Sequence, residues 1–113
     1  MKFRTNGFAR GQTKPGVMNK TEAEYGASLE LMKRACEIVD YKYEAVKLRL
    51  ADKTFYTPDF LVIGKDMIVE FHEIKGGFIR EKSEVKFKCA AEQFPWFDFQ
   101  MHQKKNKQWN RIR

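Results

Sequence analysis

The chain has 113 residues and a mass of 13.4 kDa, one domain's worth of protein. Hydrophobic residues at 42% and charged residues at 33% predict a folded core rather than disorder, and a net charge of +7 at this size points to a polyanionic partner. No apolar run reaches membrane-span length, no apolar stretch follows Lys2, Arg4 and Arg10 as a signal peptide requires, and two Cys among so many apolar residues argue against a disulfide-stapled secreted mini-protein.

Residues 1–18, with Gly7, Gly11, Pro15 and Gly16 among polar residues, read as an arm. A helix is predicted from Lys20 to Val39. Asn19 caps it with Glu22 as capping-box partner, Thr21 with Glu24 forms a second register, and Tyr25, Leu29, Met32 and Cys36 recur at helical spacing. Extending that apolar stripe back one turn reaches Glu22, whereas Glu24 falls on the flank with Ser28 and Leu31. From Tyr43 to Leu50, Val46, Leu48 and Leu50 alternate with Lys47 and Arg49, the pattern of a half-buried strand. Phe55 to Ile63 is a second strand, Gly64-Lys65-Asp66 a tight turn, and residues 67–75 a third strand that Gly76-Gly77 ends. A second helix runs from Glu81 to Gln93, with Val85, Cys89 and Phe94 loosely on one face, before Pro95. Phe97 to Met101 is the last strand. The fold class is α/β, a mixed α+β sheet in the order α-β-β-β-α-β with helices packed on it.

Cys36 and Cys89 fall in helical patterns and read as buried, reduced structural thiols, which fits a cytosolic compartment. His72 and His102 are isolated and read as structural or surface residues. Phe94, Trp96, Phe97 and Phe99 read as core or a dimer seam. Trp109 has no core to join and is open to base stacking or packing across a dimer.

The charge is unevenly spread. Residues 1–20 carry Lys2, Arg4, Arg10, Lys14 and Lys20 and no acid; residues 103–113 carry Lys104, Lys105, Lys107, Arg111 and Arg113 and no acid. Each end is therefore +5 and the middle, 21–102, is −3. Two basic tails around an acidic domain (19–102) suggest that Arg4, Arg10 and the five C-terminal cations hold a nucleic-acid backbone.

Four polar residues resist explanation as packing. Asp59 follows Pro58 in an apolar run. Glu73 and Lys75, two apart, share a strand face that continues through Phe71, Val69 and Met67. A hairpin at Gly64–Asp66 sets Asp59 near Phe71, with Glu73 as its diagonal neighbour. Glu22 points from the helix stripe towards the sheet. Three carboxylates and a lysine converging in one place are costly unless neutralised, and Mg²⁺, with carboxylate, phosphate and water oxygens, does so. The Ile74 carbonyl is a further donor, and Lys75 would orient or deprotonate an attacking water.

Pro58-Asp59, with Glu73-Ile74-Lys75 fourteen positions after the Asp, resembles the PD-(D/E)XK nuclease superfamily, the restriction-endonuclease-like fold. Glu22, in Asn19-Lys20-Thr21-Glu22, resembles the extra acid that many members carry on their first helix. The resemblance covers roughly residues 19–102. It implies an α-β-β-β-α-β core, Asp59 and Glu73 as metal ligands, Lys75 as catalytic lysine, Glu22 as a further ligand, and Mg²⁺ with Mn²⁺ as substitute. The small size is most similar to phage endonucleases and Holliday-junction resolvases, which implies DNA as partner, a possible homodimer and the cytosol of a bacterial host. A plainer account stands beside each residue: Asp59 as a turn acid, Glu73 and Lys75 as an ion pair, Glu22 as a cap. The rival reading of the whole chain is a non-catalytic basic nucleic-acid-binding protein.

Overall fold

The computed structural model describes residues 16–77 and 81–113; Arg4 and Arg10, assigned above to a phosphate-gripping arm, lie outside the described residues. Helix α1 spans Lys20–Arg34, and its start follows the capping box: Glu22 N–H donates to the Asn19 side chain at 2.8 Å and Glu22 Oε1 accepts from Asn19 N–H at 3.0 Å. It ends a turn earlier than the predicted Val39. Cys36 takes a left-handed φ of 63°, Cys36 N–H bonds Lys33 O and Glu37 N–H bonds Met32 O, which is a Schellman stop. Glycine normally marks that position, so a cysteine there hides the boundary.

The chain then enters β1 (Ile38–Tyr43), crosses a separate two-stranded hairpin of β2 (Leu48–Ala51) and β3 (Thr54–Tyr56), and returns through β4 (Phe60–Gly64) and β5 (Val69–Lys75). Helix α2 (Glu81–Gln93) carries it to β6 (Asp98–Lys105), and β7 (Gln108–Arg111) closes the edge. The main sheet has the order β1-β4-β5-β6-β7; β1, β4 and β5 are antiparallel neighbours, β6 runs parallel to β5, and β7 is antiparallel to β6. The result is a mixed-sheet α+β fold. Among the described residues no helix is long and apolar enough to cross a membrane.

Several boundaries differ from the sequence reading. The strand expected over 43–50 starts only at Leu48, because the preceding extended segment is β1. The strand expected over Phe55–Ile63 is two strands in two sheets. Pro58 has no N–H to give a ladder, and the chain turns there, with its ring fully buried. The strand expected to end at Met101 runs on to Lys105, and most of residues 103–113, read above as a tail, forms the end of β6 and all of β7. Asn106 and Lys107 both take positive φ, 54° and 63°, as a two-residue type I′ turn requires. Without glycine at either position the turn has no obvious sequence mark.

Alternation along the strands divides the core. Phe60, Val62 and Ile74 face α1 and join Tyr25, Leu29 and Ile38; Phe71, Phe99 and Met101 face α2 and join Phe87, Ala90 and Tyr56. Trp109 does find a core, half-buried and edge-on to Tyr25 at 4.9 Å between ring centroids. Trp96 is instead exposed. Cys36 and Cys89 are also exposed, against expectation: one sits in the helix-stopping turn and the other on the outer side of α2.

Candidate active site

Asp59 stands at the corner between β3 and β4, one residue before the β4 ladder begins. The ladder pairs Phe60 with His72 and Leu61 with Phe71, so continuing it puts Asp59 opposite Glu73, two residues from the Phe71 pairing predicted from the turn. The difference arises at Met67, whose left-handed φ of 70° adds it to the turn, so that β5 starts at Val69. Asp59 Oδ2 accepts the Ile74 N–H at 2.8 Å, taking the place that a ladder carbonyl would fill. Its Oδ1 has no hydrogen bond among the described residues, where no fully buried side-chain polar atom lacks a partner.

Glu73 is 7% exposed. Tyr56 Oη donates to its Oε1 at 2.6 Å, and Lys75 Nζ lies 3.1 Å from its Oε2. Lys75 Nζ also donates to Ser83 Oγ at 2.7 Å, which ties β5 to α2. Glu22 remains the cap of α1, yet Tyr43 Oη also donates to its Oε1, at 2.8 Å. That contact brings the start of α1 to the end of β1, beside the Asp59 corner.

The electrostatics follow from crowding. Burial first, and then the Glu73 charge, push the Asp59 carboxyl well above the ordinary range; Glu22 adds to this, while the Ile74 N–H and Lys75 oppose it. Burial likewise raises Glu73 against the pull of Tyr56 and Lys75, and Glu22 again raises it. Glu22 is therefore close enough to act on both carboxylates. Glu24, its neighbour on the flank, is paired with Lys104 instead.

Three acids meet one lysine, and the excess negative charge suits a hard divalent cation in kind and number of oxygen donors. They do not form a ready cage: among the described residues no group of three or more His, Cys, Asp or Glu is disposed to hold a metal. The oxygens bonded to Tyr43, Tyr56 and the Ile74 N–H would have to share or turn. A strand residue points its own N–H and C=O to the same side, so the Ile74 carbonyl faces the side from which Asp59 accepts the Ile74 N–H.

Three of the five C-terminal cations are committed elsewhere. Lys104 pairs with Glu24, Arg111 lies 3.5 Å from Asp98, and Arg113 Nε donates to Glu84 at 2.7 Å. Lys105 and Lys107 are exposed at the hairpin and have no acid partner among the described residues.

On the α1 side lies a network that the sequence reading missed. His72 and His102 are not isolated; their rings stack at 4.8 Å. His72 Nδ1 bonds Tyr25 Oη at 2.6 Å and its Nε2 bonds Glu70 Oε1 at 2.8 Å, while Gln100 links Glu70 and Asp98. An ionised carboxylate only accepts, so Nε2 carries the proton and Nδ1 takes the Tyr25 hydrogen. Burial lowers both histidines to about 4, with the His72 charge also acting on His102. His72 faces Gln100 and lies diagonal to His102, and such pairings on parallel strands leave no sequence signal because helix α2 separates them along the chain. Comparison with protein-family models, with curated proteins and with solved structures gave no match to this chain.

Proposed function

We propose that the chain is a metal-dependent endodeoxyribonuclease of the PD-(D/E)XK type. The observation that carries this reading is the meeting of Asp59 and Glu73, from two adjacent strands, with Lys75 on Glu73 and Glu22 near both. The path of the chain supports it: a helix, three antiparallel strands, a crossover helix and a parallel strand, with the acids where the β4 ladder begins and β5 ends.

Asp59 and Glu73 would hold Mg²⁺, or Mn²⁺, with Glu22 and the Ile74 carbonyl as further donors. When bound, the ion polarises the phosphodiester and lowers the pKa of a coordinated water. Lys75 Nζ, fixed between Glu73 and Ser83, orients the attacking water and offsets charge growing on the phosphate. Tyr56 and the Ile74 N–H hold the two carboxylates in place. The substrate proposed is DNA, cut structure-selectively as at a four-way junction or nicked, in a phage-associated setting. Junction resolution needs two such sites and hence a symmetric dimer.

The test is Mg²⁺-dependent cutting of supercoiled plasmid and four-way-junction DNA by the wild type, Asp59→Asn and Glu73→Gln. Losing several kcal/mol of charge stabilisation predicts a drop of about 10³-fold or more in each variant. Undiminished cutting by both would remove the site. The second reading is a non-catalytic nucleic-acid-binding protein, which needs no three-acid group such as is missing among the described residues. Calorimetry with Mg²⁺ and Mn²⁺ separates the two, since that protein has no use for the ion.

A further inference from the structure

Helix α2 and the β2–β3 hairpin enclose a groove of about 790 Å³. Two side chains of the helix hold the hairpin over it: Lys86 Nζ donates to Phe55 O at 3.0 Å and Gln93 Nε2 to Leu50 O at 3.1 Å. Lys53, Lys82 and Lys86 line it with Leu50 and Val85, and among the described residues no Asp or Glu does. A second, smaller hollow is lined by Lys82, Ser83 and Lys86. Ser83 is the residue that holds Lys75 Nζ, so this lysine surface leads directly to the candidate catalytic lysine.

The hairpin extends the same charge. Lys47 lies over the Phe55 ring at 4.8 Å, and Lys47, Arg49 and Lys53 face a single acid, Asp52, over residues 47–56. None of Lys47, Arg49, Lys53 and Lys82 forms an ion pair among the described residues, unlike Lys104, Arg111 and Arg113. Cations without acid partners can neutralise phosphates directly, and the release of cations condensed on the nucleic acid drives backbone binding. Cations already paired must first break a pair.

We infer that this groove, rather than the paired Lys104, Arg111 and Arg113, seats the phosphates of the DNA strand leading to the scissile bond. Lys53, Lys82 and Lys86 contact the backbone, and Leu50 and Val85 lie against sugar and base. The choice of a nucleic acid over another polyanion rests on the nuclease reading.

The test measures binding of a fluorescein-labelled single strand and its duplex by anisotropy, in EDTA, across a salt series. Lys53→Ala/Lys82→Ala is the main variant; both residues are exposed, so the fold should survive, which circular dichroism checks. Removing two phosphate contacts should lower the slope of log K against log salt by about 1.4 for the single strand or about 1.8 for the duplex. Lys53→Arg/Lys82→Arg should restore it, and Arg111→Ala/Arg113→Ala should change it by less than half as much.

A wild-type slope in the lysine-to-alanine variant, or the larger loss in the arginine variant, would overturn the inference. So would preference for phosphatidylserine vesicles over DNA. Cutting with Mg²⁺ is assayed separately. Cutting by the wild type with an unchanged slope in the groove variant defeats the groove alone; a groove-dependent slope without cutting under any divalent ion defeats the nuclease reading alone.

Discussion

The two sides of the main sheet use buried and charged groups in opposite ways. Under α1, the polar residues are closed into a satisfied network of Tyr25, His72, Glu70 and Gln100, beside a groove of about 670 Å³ that Glu37, Asp66 and Glu70 make acidic. Towards α2, Asp59 and Glu73 crowd each other with Lys75 as nearby cation, and the adjoining groove is lined by lysines with no acid among the described residues. The first arrangement stabilises by neutrality: two histidines are kept uncharged. The second crowds carboxyls that lower their mutual repulsion by taking up a proton or a cation, and sets lysines without an ion pair among the described residues next to them. Such an arrangement weakens a fold and suits binding of a cation and of a polyanion.

The largest expected effect would break this contrast outright if it failed. Lys75→Met should reduce Mg²⁺-dependent cutting by about 10²–10⁴-fold, the usual cost of losing a positioned proton-transfer or orienting group. Glu37→Gln, in the acidic groove on the other side, should leave it within about twofold, as for an ordinary surface change. Equal losses in both would mean that the two sides do not differ in function.

Stability against pH sharpens the contrast next. His72 and His102, lowered from 6.5 to about 4, favour the fold above pH 6.5 and lose that contribution as pH falls towards 4; for buried His72 this is on the order of 3 kcal/mol. Asp59 and Glu73, raised by burial and by each other, do the reverse: their contribution is greatest below the ordinary carboxylate range and is lost as pH rises. Above pH 6.5 only the carboxylate trend remains, so metal-free protein should lose stability there in urea titrations. Asp59→Asn should flatten that limb, and His102→Gln should flatten the acid limb. A wild-type curve in both variants would count against the assignment.

Smaller effects probe the parts of each side. Tyr25→Phe leaves His72 Nδ1 without its donor and should cost about 1–3 kcal/mol in chemical denaturation, without a matching loss of cutting. Cys36→Gly and Lys107→Gly relieve left-handed backbone at non-glycine residues and should each stabilise by about 0.5–1 kcal/mol. No gain in either would mean that these turns are held by contacts rather than strained.

Much of the frame was legible in the chain. Helix α2 spans Glu81–Gln93 as its pattern and Pro95 suggest, and the Asn19–Glu22 box marks the start of α1. Glu73 and Lys75 lie on one face because strand alternation is a local rule, and they meet at 3.1 Å. The boundaries that were missed share a cause: Cys36, Met67, Asn106 and Lys107 adopt left-handed φ without being glycine, and tertiary packing imposes what the residue type does not announce.

Charge shows the division most clearly. By itself the sequence determined how many cations and acids the chain has and where they stand along it, together with the alternating faces and the Pro58 corner. Only the tertiary structure decided which of them cancel. Lys104 finds Glu24 and Arg113 finds Glu84 across long separations, whereas Lys53 and Lys82 come together with no acid between them. Coulomb energy depends on distance in space and on exclusion of water, and neither is written in the order of residues. The +7 total is therefore local at its ends in sequence, but in space Lys53, Lys82 and Lys86 gather on one groove beside Ser83, the partner of Lys75.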